Sequence, residues 1–129
     1  TLSLHDALPI YQTVDAVSRD VVWIGTSGGE LYRSDDGGDS WTAYAFSGSG
    51  TGSVVDIQFV SDLEGWMVHN SAAPVGTLLR TVNGGFNWET VSGGGTNAGL
   101  TSVYACGFDS AWVGGEVQGG TAYLGRAGV

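Results

Sequence analysis

The densest cluster of chemically capable side chains in this sequence is Asp35-Asp36-Gly37-Gly38-Asp39, three carboxylates within one short run. Acids spaced this closely suit a hard cation such as calcium, which gathers several oxygen ligands. The run does not meet the calcium-loop pattern, because the required glycine and the terminal bidentate Glu are missing from their places. Asp56, Asp62 and Asp109 are the other acids to weigh, since glycoside hydrolysis needs one carboxyl as acid and a second as base or nucleophile. Asp62 and Asp109 recur at equivalent turns 47 positions apart, which favours repeat structure over a catalytic pair. His69, the only histidine outside the first ten residues, has no partners in view and reads as a loop or strand-end residue. Gly93-Gly94-Gly95-Thr96-Asn97-Ala98 precedes a strand-like run rather than a helix, so it is no dinucleotide fingerprint. Cys106 is the lone cysteine. It gives neither a disulfide nor a zinc site, leaves the compartment unread, and is expected as a small buried apolar residue. No catalytic, metal-binding or cofactor-binding residues are assigned.

Composition limits what such residues can be part of. The 129 residues suit one domain, and a hydrophobic content of 42% suits a globular β protein. Glycine is the outlier at 23 residues, spread between short Val/Tyr/Trp-rich runs as tight turns would be. The net charge is −9 with no lysine. That balance disfavours nucleic acid, whose phosphates call for Lys and Arg, and adsorption to anionic membranes. No apolar run approaches the ~20 residues of a membrane span.

Three repeated units must position these residues. Their first strands read Thr13 to Val17, Val54 to Val60 and Thr101 to Cys106. In the second, Val55, Ile57 and Phe59 alternate with Asp56 and Gln58, predicting one buried face. An acidic turn follows in each unit, then a strand carrying Trp23, Trp66 or Trp112. Arginines recur after each tryptophan: Trp23 to Arg33 is 10 positions, while Trp66 to Arg80 and Trp112 to Arg126 are both 14. The difference falls in a loop, where repeats ordinarily vary. A third strand ends in a conspicuous string and a fourth follows it. Four short antiparallel strands per unit make a propeller blade.

The conspicuous string occurs twice, as Ser34-Asp35-Asp36-Gly37-Gly38-Asp39-Ser40-Trp41 and Thr81-Val82-Asn83-Gly84-Gly85-Phe86-Asn87-Trp88. Asp36 and Asn83 can accept hydrogen bonds from backbone N–H groups two or three residues on, and Ser34 and Thr81 add hydroxyls. Gly38 and Gly85 can supply positive φ, and Trp41 and Trp88 a large ring against a neighbouring sheet. Asn83 in place of Asp keeps the acceptor and loses the charge, which a turn brace tolerates and a general acid does not.

The string resembles the Asp-box, or bacterial neuraminidase repeat. The surrounding phrase, Gly65-Trp66-Met67-Val68 through Leu78-Leu79-Arg80-Thr81-Val82-Asn83-Gly84-Gly85, is most similar to repeats of the photosystem II assembly/stability factor-like family. The resemblance implies an all-β partial β-propeller without helices: two four-stranded antiparallel blades, about 11–47 and 53–93, and an incomplete third, 100–129. It implies that the boxes lie on the outer rim as structural braces, and that the partner is a protein. It points to an extracytoplasmic or virion/cell-surface setting. Sialidases, another Asp-box class, use an arginine triad. Here Arg33, Arg80 and Arg126 are repeat-equivalent and read as structural, leaving Arg19 and no triad.

Both ends bear on the reading. Residues 1–10 match, codon for codon, the translation of a common short-read sequencing adapter, and are set aside as an artefact. Gly125-Arg126-Ala127 matches part of the complementary strand, and the third box does not develop, with Ala127 and Val129 where Ser/Thr and Asp/Asn belong. The expectation is a non-catalytic fragment serving as a protein-binding or assembly scaffold, with further blades elsewhere in the full-length chain. The alternative is a fragment of an Asp-box glycoside hydrolase or sialidase whose catalytic residues lie on those blades.

Overall fold

The computed structural model describes residues 10–71, 76–91, 99–107, 109–116 and 122–128, with residues 116 and 122–128 as backbone. Residues 1–9, the glycine run 93–98 and Val129 discussed above lie outside them. Among these residues eleven strands form three antiparallel sheets. The first contains β1 (Tyr11–Ala16), β2 (Val22–Thr26), β3 (Leu31–Ser34) and β4 (Thr42–Tyr44). The second contains β5 (Ser53–Phe59), β6 (Gly65–Asn70), β7 (Gly76–Thr81) and β8 (Glu89–Thr90). The third contains β9 (Leu100–Ala105), β10 (Ser110–Glu116) and β11 (Ala122–Gly128). Each sheet runs in simple meander order, and no helix occurs among the described residues.

The Trp–Arg spacings have a structural meaning. Trp23 pairs with Arg33, Trp66 with Arg80 and Trp112 with Arg126 across the second and third strands of each sheet. A four-residue difference in loop length therefore leaves the cross-strand register intact. In the two pairs with described side chains, the guanidinium of Arg33 sits 5.9 Å from the Trp23 ring centroid and that of Arg80 sits 5.6 Å from Trp66. That geometry adds a cation–π attraction to packing.

The sheets meet along their first and second strands: β5 lies against β1 and β2, and β9 against β5 and β6. One apolar core, of Trp23, Leu31, Val54, Ile57, Met67, Leu79 and Trp88 with Phe46, fills the first junction. A second core, built on Trp66, Val68, Leu78, Leu100, Val103 and Val113, fills the other. Adjacent residues Leu78 and Leu79 thus serve different cores, as a period-two strand buried on both sides requires. Each fully buried aliphatic contributes about 1.5–3 kcal/mol.

The middle strand corrects one expectation. The sequence alternation predicts one buried face on β5, with Val55 inward. A bulge between Val54 and Asp56 instead turns Val54 fully inward, and Val55 is only half-buried. Asp56 and Gln58 do not face solvent either, because the third sheet covers them. Cys106 is a second correction. The β9 strand ends at Ala105, and Cys106 lies exposed in the bend that follows.

Candidate functional site

Both repeated strings close loops of the same design. Ser34 and Thr81 end the third strands and are almost fully buried. The Ser34 hydroxyl donates to Asp36 Oδ1 at 2.8 Å and accepts the Gly38 N–H at 2.8 Å. The Thr81 hydroxyl donates to Asn83 Oδ1 at 3.0 Å and accepts the Gly85 N–H at 2.9 Å. Asp36 and Asn83 then accept the N–H of Ser40 and Asn87, at 2.9 and 3.0 Å. The acceptor reaches four residues on, not two or three as the sequence suggested. Two successive positive-φ glycines, Gly37-Gly38 and Gly84-Gly85, curl each loop far enough for that longer span.

The loops are also tied to the acidic turns of their own sheets. Gly37 N–H donates to Asp20 O, and Gly84 N–H to Leu63 O. Hydrogen bonds from the Ser40 hydroxyl and backbone hold the Asp36 carboxyl down at about 2. Asp36 is thus engaged as an acceptor, with its oxygens turned toward its own loop.

The two tryptophans behave differently. Trp88 is buried in the first junction, edge-on to Trp23 at 6.1 Å and to Phe59 at 5.9 Å. Its Nε1 is buried with no hydrogen-bond partner. Trp41 was expected to enter a gap against a neighbouring sheet. It is only half-buried and folds back on its own loop, donating Nε1–H to Gly38 O at 3.1 Å. The physical reason is position. Trp88 has the first sheet in front of it, whereas no described sheet faces Trp41.

Polar side chains bind the sheets together: Asp56, weighed above as a catalytic acid, and Asp15, Gln58 and Asn70, to which the sequence assigned no role. Asp15, opposite Trp23, accepts the Phe59 N–H at 2.7 Å. Gln58, opposite Trp66, accepts the Ala105 N–H at the equivalent place. Asp56 accepts the Val103 N–H at 2.8 Å and the Ile57 N–H at 3.0 Å. Asn70 both donates to Leu100 O and accepts the Leu100 N–H, mimicking a strand partner. Burial raises the Asp15 and Asp56 carboxyls above the usual range, against the lowering effect of these N–H donors. The nearby Asp56 charge raises Asp15 further. The signal available in the sequence was spacing: the Asp56–Val103 and Gln58–Ala105 contacts span 47 residues, the period of the repeated string.

His69 is the penultimate residue of β6, buried, with Nε2 2.7 Å from Thr51 O and its ring edge-on to Phe46. It pins the 47–52 joint. Among the described residues no three His, Cys, Asp or Glu side chains converge as a cation site would need. A groove of about 360 Å³ opens between the first and second sheets beside the second loop. Arg33, Tyr44, Asp62, Leu63, Asn83 and Phe86 line it. Phe86 is 74% exposed there and Leu63 is also exposed. No helix of the described residues is long and apolar enough to cross a membrane.

No protein-family model matches the chain, and no curated protein matches it in sequence. Solved structures do. YCF48 bound to a D1 peptide superposes with a TM-score of 0.71 at 20% identity, covering 95% of this chain and 37% of that one. YCF48 from Cyanidioschyzon merolae gives 0.65 at 21% identity, covering 92% and 34%. The chain therefore spans about a third of the length of the structures it matches. Taken with the three meander sheets and their stacked first strands, the likeness establishes the fold as a partial β-propeller.

Proposed function

We propose that this chain is part of a non-catalytic propeller that binds a protein segment as an assembly scaffold, in the manner suggested by YCF48 with its D1 peptide. One observation carries the reading: the polar groups best placed for chemistry are already committed to backbone. Asp15 and Asp56, the paired carboxylates of the inner strands, accept strand N–H groups. The repeated strings act as Asp-box braces, with Ser34, Asp36, Gly38 and Trp41 in one and Thr81, Asn83, Gly85 and Trp88 in the other. The rim groove at Phe86 offers an apolar wall beside Arg33 and Asp62, a lining suited to a peptide side chain with a polar flank.

On this reading, the remaining blades of the ring lie outside the 129 residues, and residues 1–10 are not part of the natural protein. The second reading, a glycoside hydrolase fragment, draws on Asp15 and Asp56 being close enough to interact. A panel of fluorogenic glycosides separates the two. The scaffold reading expects no turnover above buffer. Turnover abolished by Asp56→Asn, with the fold retained by circular dichroism, would sink it.

A further inference from the structure

We infer that the groove between the first and second sheets takes a segment in which a large apolar residue is flanked by lysine or arginine. The inference rests on the peptide-binding reading above and adds the chemistry of the segment. The repeated string supplies an internal control. Its two loops share their bracing residues and hydrogen bonds, so the places where they differ are not needed for the brace. Asp35 and Asp39 of the first loop stand where the second has Val82 and Phe86, and all four are exposed.

The adjoining turns differ in the same sense. Gly37 N–H donates to Asp20 O and Gly84 N–H to Leu63 O, which makes Asp20 and Leu63 equivalent. A Cβ on Gly37 would meet Asp20 Oδ1 at 3.9 Å, and one on Gly84 would meet Leu63 Cδ2 at 3.7 Å. Three acids around the first loop are thus replaced by three exposed apolar residues around the second. Leu63 and Phe86 line the same groove, and the Phe86 ring lies 5.8 Å from Tyr44 of the first sheet. Single exposed apolar residues are ordinary, but several on one groove beside a charged border mark a binding surface.

The border sets the charge of the occupant. Arg33, the cation that lines the groove, is held by Asp35 at 3.7 Å and lies over the Trp23 ring. Arg19 and Asp20 follow one another in the turn between Ser18 and Val21 and offset each other. Asp62 lines the groove without an ion pair among the described residues, and Glu64 shares its turn. A basic flank meets these spare carboxylates, whereas an acidic flank is repelled by them.

Fluorescence anisotropy of the chain with three labelled peptides in one Gly/Ser frame tests this. The first carries phenylalanine between two lysines, the second phenylalanine between two glutamates, and the third glycine between two lysines. The lysine-flanked phenylalanine peptide should bind about tenfold more tightly than either of the others, and added salt should narrow its lead over the glutamate peptide. Asp62→Asn should narrow that lead too, while Phe86→Ala should weaken the phenylalanine peptides. Both side chains are exposed, and circular dichroism checks that each variant folds. A glutamate-flanked peptide that binds as tightly, and is still weakened by Phe86→Ala, would overturn the charge assignment and keep the peptide-binding reading. A glycine peptide that binds as tightly as its phenylalanine counterpart would overturn the apolar anchor. A folded chain that binds none of the three would overturn the inference, and the D1 peptide then decides whether the reading beneath it falls as well.

Discussion

Alanine at Gly85 and alanine at Gly38 make a matched pair. The two glycines occupy equivalent places, with φ of +90° and +95°. A side chain at such a φ costs about 1–3 kcal/mol in strain, alike at both positions. Only at Gly85 does the new Cβ also collide, at 2.2, 2.7 and 3.2 Å from three atoms of the Trp23 ring. That ring cannot retreat: it is stacked on Phe59 at 4.9 Å, edge-on to Tyr44 at 4.9 Å, and backed by Trp88. Overpacking of this kind adds about 1–3 kcal/mol. Gly85→Ala should therefore lose about 2–6 kcal/mol and Gly38→Ala about 1–3, from a total stability on the order of 5–15. Urea unfolding followed by tryptophan fluorescence reads the difference, which at a slope of about 1–3 kcal/mol/M is on the order of 1 M in midpoint. Trp23→Ala in the Gly85→Ala background should relieve the clash and give a non-additive cycle. Equal losses for the two glycine variants, or strict additivity with Trp23→Ala, would refute the slot geometry.

Other consequences follow from the same contacts. Trp88→Ala should cost about 3–5 kcal/mol, Trp41→Ala distinctly less, and Trp88→Phe little, since phenylalanine removes the unpaired Nε1–H. Thermal unfolding orders the three. Thr81→Ala leaves the buried Gly85 N–H unpaired and should cost about 1–3 kcal/mol, again read by urea midpoint. The pH profile has two opposed parts. Asp15 and Asp56 have raised carboxyls, so their contribution is fully present below the ordinary 3.8 and is lost as pH rises through the raised values. Asp36 has a lowered one, so its contribution is present above 3.8 and is lost as pH falls towards about 2. Stability from these groups should therefore rise on mild acidification from neutrality. Asp15→Asn, which keeps an acceptor for Phe59 N–H, should flatten that rise. A midpoint for the unsubstituted chain that is flat between neutrality and mild acid would contradict the assignment.

What could be read from the sequence was whatever depends on near neighbours or on the repeat. Ser34, Asp36 and Gly38 lie within one loop, so residue type and spacing prescribed their hydrogen bonds, apart from the longer reach of the Asp and Asn acceptors. The Trp–Arg pairs were visible as spacing because a hairpin keeps register when its loop lengthens. What was hidden depends on which sheets touch. Asp15, Gln58 and Asn70 look like solvent-facing polar residues until a second sheet lies across them. Trp41 and Trp88 occupy the same place in their strings, and only the neighbouring sheet makes one buried and the other half-open. Cys106 was misplaced because its strand stops one residue earlier than its apolar run.

The proposed function is that this propeller surface binds a protein segment rather than transforming a substrate. Fluorescence anisotropy with a labelled D1 peptide of the kind held by YCF48 tests it most directly, because Phe86 can be altered at little cost to the fold. Saturable binding is expected, weakened about tenfold by Phe86→Ala, which is on the order of 1.4 kcal/mol. Binding that never saturates, or that ignores Phe86→Ala, would contradict it.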